Sequence, residues 1–373
     1  MLKCEEFFSL LKKYDLTFFS GIPDSTFKSF MSFLEKNKGK LRNIVTVNEC
    51  EAVAVSAGYH LSTGKIAVVY LQNSGLGKTV NPLTSLCDPS VYSIPILFMI
   101  GWRGEPDKKD AYQHHKMGRI TIDLLELLDI PYEIITDDIE KLDKIIRKAK
   151  KYMTESKKPY ALIIKKNIFE KLNEKEEKGK KPTREEAIKT ILKNLKGNEI
   201  IISTTGKTSR ELFENRKDKN DCGHDFYNIG AMGCAQSIAL GISLNKKDKD
   251  VFVFDGDGSV LMQMGALATT GHYCPKNYYH IVFDNKAHDS TGGQPTCSDT
   301  IDLKNVSKSC NYKYSKVVDN LKDLETEIKK IKSKKGPLMI VVKIRKGSRD
   351  NLGRPPLKPK EYKEKFMKYI QEN

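Results

Sequence analysis

Apolar residues in this chain come in two spacings that alternate along its length. Runs at residues 66–71, 94–100, 251–254, 280–283 and 338–344, apolar apart from Pro95, His280 and Lys343, have strand length and read as strands buried on both faces of a parallel sheet. Segments between the strands keep apolar positions three and four apart, as with Phe7, Phe8, Leu10 and Leu11 in residues 4–14, which predicts amphipathic helices. Further strands are expected at 16–19, 43–47, 161–165 and 199–203, and further helices from Thr26, over 52–61, from Thr183, over 235–244 and from Leu321. In the helix expected between the strands at 251–254 and 280–283, Leu261, Met264, Leu267 and Ala268 share one face. Residues 107–121 read as a polar loop. Strand and helix in alternation predict the α/β class, with doubly wound parallel sheets.

The alternation runs through twice. Between the two passes, residues 170–182 (EKLNEKEEKGKKP) are charged, poor in apolar residues and closed by Gly and Pro, the composition of a linker. A chain of 373 residues is too long for one ordinary core. Two α/β domains are therefore expected, 1–169 and 183–373, with no middle domain. Thr183 and Glu186 have the spacing of a capping box that starts the second domain's first helix.

The chemistry concentrates in residues 251–296. Gly256, Asp257, Gly258 and Ser259 follow one predicted strand and Asn285 follows the next, so Asp257 stands at a strand's carboxyl end, where doubly wound folds bind ligands. A right-handed crossover lets the two strand ends lie side by side, and Asp257 and Asn285 can then share an ion. A carboxylate and an amide oxygen suit Mg²⁺ or Ca²⁺ rather than zinc, with phosphate oxygens completing the shell. Gly256, Gly258 and the Ser259 hydroxyl, leading into a helix N-terminus, suit a diphosphate. Taken alone, the Gly-Asp-Gly would be a tight turn; the Asn 28 residues beyond Asp257 changes the balance.

Two Gly-Lys-Thr triplets, at 77–79 and 206–208, invite a nucleotide-binding reading. Both fail it, because the Gly required five positions earlier is Gln72 in one case and Ile201 in the other. Thr205, Gly206, Lys207 and Thr208 still offer backbone N–H groups, hydroxyls and a cation at a helix start. Asp24 and Ser25 can cap the helix from Thr26, and Glu49 can be an acid favoured by a helix dipole. Asn73 ends a predicted strand as a polar group able to face a substrate, and Met232 would by default fill a core.

Composition narrows the field without choosing within it. The formal charge is +16, but the lysines are spread through amphipathic and linker segments and no nucleic-acid motif is present, so no nucleic-acid partner is expected and the basic surface favours anionic substrates. The longest apolar run, 94–100, falls far short of the ~20 residues of a membrane span. The eight cysteines are scattered, with neither a CxxC pair nor zinc spacing, as in a reduced, cytoplasmic protein without a membrane anchor.

Gly-Asp-Gly at 256–258 followed by Asn285, and Glu49 nine residues before Gly58-Tyr59, together resemble the thiamine diphosphate (ThDP)-dependent 2-keto acid decarboxylases. The segments GIPDS, NECEAVAVSAGYHL, LQNSGLG, VNPLTSL, IGWRGEP, STTGKTSRELFE and DNKAHDSTGGQPT extend the likeness over nearly the whole chain. The resemblance implies a pyrimidine-binding domain followed by a diphosphate-binding domain, with ThDP and Mg²⁺ as cofactors. It implies that Glu49 is the acid on the pyrimidine ring, and that Asp257, Asn285 and the Ala287 carbonyl hold the metal. The second diphosphate loop falls on residues 205–208, with His288 beside the first. Met232 takes the place of the residue wedged between the cofactor's rings, and the Gly230 carbonyl that of the acceptor for its amino group.

The paired His114 and His115 match the family's paired histidines, which makes His114 a catalytic and substrate-site residue. Asp24, Ser25, Asn73, Lys78, Arg103 and Gln113 join it around a small anionic 2-keto acid. Lys78 stands where the resemblance would put Asn. With this compact layout, the resemblance implies non-oxidative loss of CO₂ from 3-phosphonopyruvate in phosphonate biosynthesis, with sulfopyruvate as the alternative substrate and a non-catalytic ThDP-fold subunit as a more distant reading. It also implies a homodimer or higher homo-oligomer with active sites at the subunit interface.

Overall fold

A computed structural model describes residues 1–39, 41–171, 179–217, 225–349 and 351–372, apart from the Lys217 side chain. The chain divides into two compact units, Met1–Glu174 and Lys175–Asn373. Most of the stretch read as a linker, residues 172–178, lies outside the described residues. Among the described residues no helix is long and apolar enough to cross a membrane.

The first unit carries β1 (Phe18–Gly21), β2 (Arg42–Val45), β3 (Ala67–Gln72), β4 (Ile96–Gly101), β5 (Tyr132–Ile134) and β6 (Tyr160–Ile164) in the order β2-β1-β3-β4-β6-β5. Every pairing in this sheet is parallel. Successive side chains of β3 and β4 go to opposite faces, so Val68, Tyr70, Leu97 and Met99 enter a core with Phe7, Phe30 and Ile146, while Val69, Leu71, Phe98 and Ile100 enter a second core with Val53 and Leu125. Both faces are covered by helices, which is why these strands read as unbroken apolar runs.

The second unit carries β7 (Ile200–Ser203), β8 (Asp225–Tyr227), β9 (Val251–Gly256), β10 (Tyr278–Asp284), the short antiparallel pair β11 (Ala287–His288) and β12 (Gln294–Pro295), then β13 (Tyr314–Val318) and β14 (Leu338–Lys343). Its main sheet is again parallel, ordered β13-β14-β10-β9-β7-β8. Phe252, Phe254, Ile281, Phe283, Ile340 and Val342 form the core on one face. The other face is more polar: Asp255 and His280, both fully buried, stand 3.4 Å apart. The chain switches direction across the sheet between β1 and β3 in the first unit and between β7 and β9 in the second, the positions at whose carboxyl ends doubly wound sheets bind ligands.

Sequence patterning missed the short strands β5, β8 and β13, which lie at the sheet edges and carry few apolar residues. Residues 112–121, expected in a loop, instead begin the helix Tyr112–Leu127. Its buried face is His114, Gly118, Thr121 and Leu125, at helical spacing but mostly polar, so the apolar signal is silent. The helix expected between β9 and β10 is broken into Asp257–Met262 and Gly265–Tyr273. The break leaves Met264 and Ala268 exposed, off the face expected to bury them. In the helix Glu49–Thr63 the small residues divide, Ala52 and Ala57 packing inward while Ala54 and Gly58 face out.

Gly21 has no room for a side chain, because a Cβ there would lie 2.0 Å from the Tyr70 carbonyl oxygen and 2.7 Å from its ring. Both contacts are with Tyr70, a fully buried residue of the interior strand β3 whose backbone cannot yield. Gly21→Ala is expected to destabilise the protein by about 1–3 kcal/mol or more, read from urea unfolding, whereas Gly39→Ala at an open position leaves the midpoint nearly unchanged.

Candidate functional site

In the second unit three strand ends converge. Parallel register sets Phe283 beside Gly256 and Ser203 beside Phe254, so the residues that follow β10, β9 and β7 emerge next to one another. Asp257 is 2% exposed, and Asn285 and Ala287 are buried as well. The two strand ends expected to share an ion are thus neighbours. The Thr296 hydroxyl donates a hydrogen bond to an Asp257 carboxylate oxygen. Burial, reinforced by the nearby Asp284 carboxylate and opposed by Thr296 and Ser298, pushes the Asp257 carboxyl up to about 6. Asp284 is itself held by the Lys343 ammonium and by the Ser298 hydroxyl at 2.9 Å.

Asn285 presents its oxygen to the Ala287 N–H at 3.0 Å and its nitrogen to Asp289 at 2.7 Å. Gly258 lets the β11–β12 loop close down, since a Cβ there would stand 3.0 Å from the His288 ring and 3.2 Å from Thr296. Desolvation pushes the His288 imidazole down to about 4, which keeps it neutral near pH 7. Ser259 ties the neighbouring loops together, accepting from the Thr204 hydroxyl at 2.9 Å and from the Gly233 N–H at 3.1 Å. Thr205 and Gly206 lead into the helix Lys207–Lys217, with Thr208 buried in its first turn and Gly206 at φ +82°. Asn228 braces the turn that carries Gly230 and Met232, donating to the Ala231 carbonyl at 2.7 Å and accepting from the Ala231 N–H at 3.0 Å. The Gly230 carbonyl accepts from Met232 N at 3.0 Å, and Met232 is half-buried.

In the first unit Glu49 opens the helix Glu49–Thr63 behind its cap, Asn48, and is 6% exposed. Gly75 makes room for it: a Cβ at Gly75 would lie 2.3 Å from Glu49 Oε1. Lys78 Nζ approaches Glu49 Oε2 to 3.3 Å, an ion contact without hydrogen-bond geometry, so that oxygen is buried and has no hydrogen bond. Lys78, expected to face the substrate, is here the acid's neighbour.

A second cluster gathers at the carboxyl ends of β1, β3 and β4. Asp24 accepts from Gln72 Nε2 at 2.5 Å and from Thr26 N at 3.1 Å, and Gly101 leaves space for its carboxylate. Arg103 donates to Ser25 Oγ at 3.0 Å and forks onto Asp110 at 2.7 and 2.9 Å. Burial raises the Asp110 carboxyl, but hydrogen bonds from Arg103, Lys166 and the Gly104 and Ala111 amides outweigh it and hold the group well below the ordinary carboxylate range. Asn73, expected to face a substrate, is fully buried and clamps the Arg103 backbone instead, accepting from its N–H at 3.2 Å and donating to its carbonyl at 2.8 Å. His114 is buried and Gln113 exposed in the first turn of the helix Tyr112–Leu127, where Gly104 packs against the His114 carbonyl. Gln72, Asp110, Lys166 and Thr296 were not singled out from sequence. None of the four carries a signal in the sequence, Asp110 included, because the helix that follows it is not legible there.

The profile described as thiamine pyrophosphate enzyme, N-terminal TPP binding domain, matches residues 4–126, and that of the C-terminal TPP binding domain matches residues 205–342. Phosphonopyruvate decarboxylase of Streptomyces viridochromogenes is 38% identical over 88% of this chain and 85% of its own length. The chain belongs to the phosphonopyruvate decarboxylase family of thiamine diphosphate enzymes. A second phosphonopyruvate decarboxylase, from Streptomyces hygroscopicus, is 34% identical over 100% of the chain and 95% of its own length. Sulfopyruvate decarboxylase of Methanosarcina acetivorans is 27% identical over 98% of the chain and 97% of its own. As a phosphonopyruvate decarboxylase family member the chain takes ThDP as its cofactor, and its residues fit that group. Glu49 Oε2 is a buried acceptor without a hydrogen bond, and the Asp257, Asn285 and Ala287 oxygens, all on buried residues at neighbouring strand ends, are of the hard type that would suit Mg²⁺.

The raised carboxyl of Asp257 has a measurable consequence. Its folded-state value of about 6 lies above the ordinary 3.8, so ionisation costs stability above pH 6, and the cost vanishes as pH falls through 6 toward 4. In metal-free protein, Asp257→Asn is expected to stabilise the fold by about 2–3 kcal/mol near pH 7.5 and by little near pH 4, compared by urea unfolding at the two pH values.

Proposed function

We propose that this protein decarboxylates 3-phosphonopyruvate to phosphonoacetaldehyde and CO₂ without oxidation, using ThDP and Mg²⁺, as a carboxy-lyase of phosphonate biosynthesis. The observation that carries the reading is the extent of the match: two phosphonopyruvate decarboxylases align with 88% and 100% of the chain, across both ThDP-binding regions. Bound ThDP supplies the electron sink for the pair released as CO₂ departs.

The chain's own residues bind, orient and move protons. Glu49 would hold the pyrimidine ring and exchange a proton through its Oε2, and Lys78 balances its charge between turnovers. Thr205, Gly206, Lys207, Thr208, Gly256, Gly258, Ser259 and His288 would hold the diphosphate, with Asp257, Asn285 and the Ala287 carbonyl on Mg²⁺. Met232 would support the cofactor's bend and the Gly230 carbonyl its amino group. In the substrate region Arg103, shaped by Asp110 and joined by Ser25, offers charge-assisted donors to a dianionic head group. Asp24, Gln113, His114 and the clamp residue Asn73 complete that region, with His114 as a proton carrier.

The pyrimidine half would lie in residues 1–169 and the diphosphate half in 183–373, joined by 170–182, in a cytoplasmic homodimer or higher homo-oligomer whose active sites form at the subunit interface. Sulfopyruvate, with an anionic head of similar shape, is the second reading. It is supported by 27% identity to a sulfopyruvate decarboxylase over 98% of the chain and by 39% identity to a sulfopyruvate decarboxylase beta subunit over 43% of the chain.

The reading is tested by assaying CO₂ release from both keto acids with ThDP and Mg²⁺. Phosphonopyruvate is expected to turn over with the higher kcat/KM, and turnover of sulfopyruvate alone would reverse the assignment. Glu49→Gln is expected to keep ThDP binding and to lower kcat by roughly 10²–10⁴-fold, whereas a variant retaining parental kcat would remove Glu49 from the proton chemistry.

A further inference from the structure

Behind Asn285 lies a line of charges that the metal-site reading does not use. Glu211 accepts from Arg184 Nε at 2.6 Å and from Nη2 at 3.1 Å, while Arg184 Nη1 reaches Asp289 Oδ2 at 3.3 Å. The three side chains are only 2–8% exposed. Asp289 Oδ2 also accepts from Asn285 Nδ2 at 2.7 Å, and its other oxygen accepts from the Gly347 N–H at 3.2 Å.

Arg184 already has a bidentate carboxylate in Glu211, so Asp289 is not needed to neutralise it. One formal negative charge is left over, directly behind the Asn285 amide. A carboxylate only accepts hydrogen bonds, so Asp289 can bind only the nitrogen end of that amide; the Ala287 N–H, at 3.0 Å, can bind only the oxygen end. Two contacts of opposite sense therefore forbid the flipped amide.

We propose that Asp289, anchored by Arg184 and Gly347, is a positioning residue that fixes the Asn285 amide so that its oxygen, and not its nitrogen, faces a bound divalent cation. The inference rests on the reading of Asn285 as a metal ligand. With Asp289 removed, the amide keeps only the Ala287 N–H contact at its oxygen end, and its nitrogen end is no longer held away from the cation. Outer partners of metal ligands act in this way generally, by restricting the orientations a ligand can take.

The test is Mn²⁺ binding by the full-length protein in saturating ThDP, followed by the EPR signal of free Mn²⁺. Asp289→Ala is expected to weaken Mn²⁺ binding by roughly 10–100-fold, with kcat at saturating Mg²⁺ within a few-fold of the parent. Asp289→Asn, isosteric and still able to offer an oxygen to Asn285 Nδ2, is expected to recover most of the affinity. Parental affinity in Asp289→Ala, or an Asp289→Asn variant no tighter than Asp289→Ala, overturns the positioning role while leaving the metal site in place. A parent protein that binds no Mn²⁺ beside ThDP overturns the metal site and this inference together.

Discussion

The structure is governed by the cost of holding ionised groups away from water. Asp257 is 2% exposed and sits near a second carboxylate, Asp284, in a region where charge is poorly solvated. The fold meets that cost by distributing partners from distant parts of the chain. Lys343 comes from the end of β14 to hold Asp284, and Thr296 reaches back from beyond β12 to Asp257. What remains uncompensated is negative charge at the strand ends, the electrostatic condition a hard cation satisfies.

The first unit solves the complementary problem of keeping a guanidinium available yet fixed in direction. Arg103 is forked onto Asp110, its backbone is clamped by Asn73, and its remaining side reaches Ser25. The order of effects is plain from the geometry. Asn73 and Gly104 set the path of the loop, the loop sets the guanidinium, and Asp110 keeps it oriented. A substitution at Asn73 would therefore act on the Arg103 guanidinium through the path of the loop. The same logic joins Gly75 to Glu49, where the absence of a Cβ defines the space the carboxyl occupies.

The two sheets use one topological device to different ends. Each has a switch in winding direction, at β1/β3 and at β7/β9, and each gathers polar side chains at the carboxyl ends beside it. In the first, that position gathers a cation with its acids. In the second, it gathers backbone N–H groups, hydroxyls and oxygen donors on three adjacent loops tied together by Ser259.

The sequence alone was enough to set out two α/β sheets, because both faces of each are covered and the central strands have no polar alternation to obscure them. It was also enough to put Asp257, Asn285 and Glu49 just beyond strand ends, since strand-end glycines and acids survive as local signals. It could not show that residues 112–121 are helical, because their buried face is made of His114, Gly118 and Thr121, whose burial depends on Trp102 and Gly104 from another loop. Nor could it show that Asn73 braces a loop, that Lys78 lies against Glu49, or that Arg184 and Asp289 stand behind Asn285. Those contacts join residues up to 105 positions apart, and pairings between loops of different strands carry no periodicity in the chain; only the packed sheets bring them within hydrogen-bonding reach.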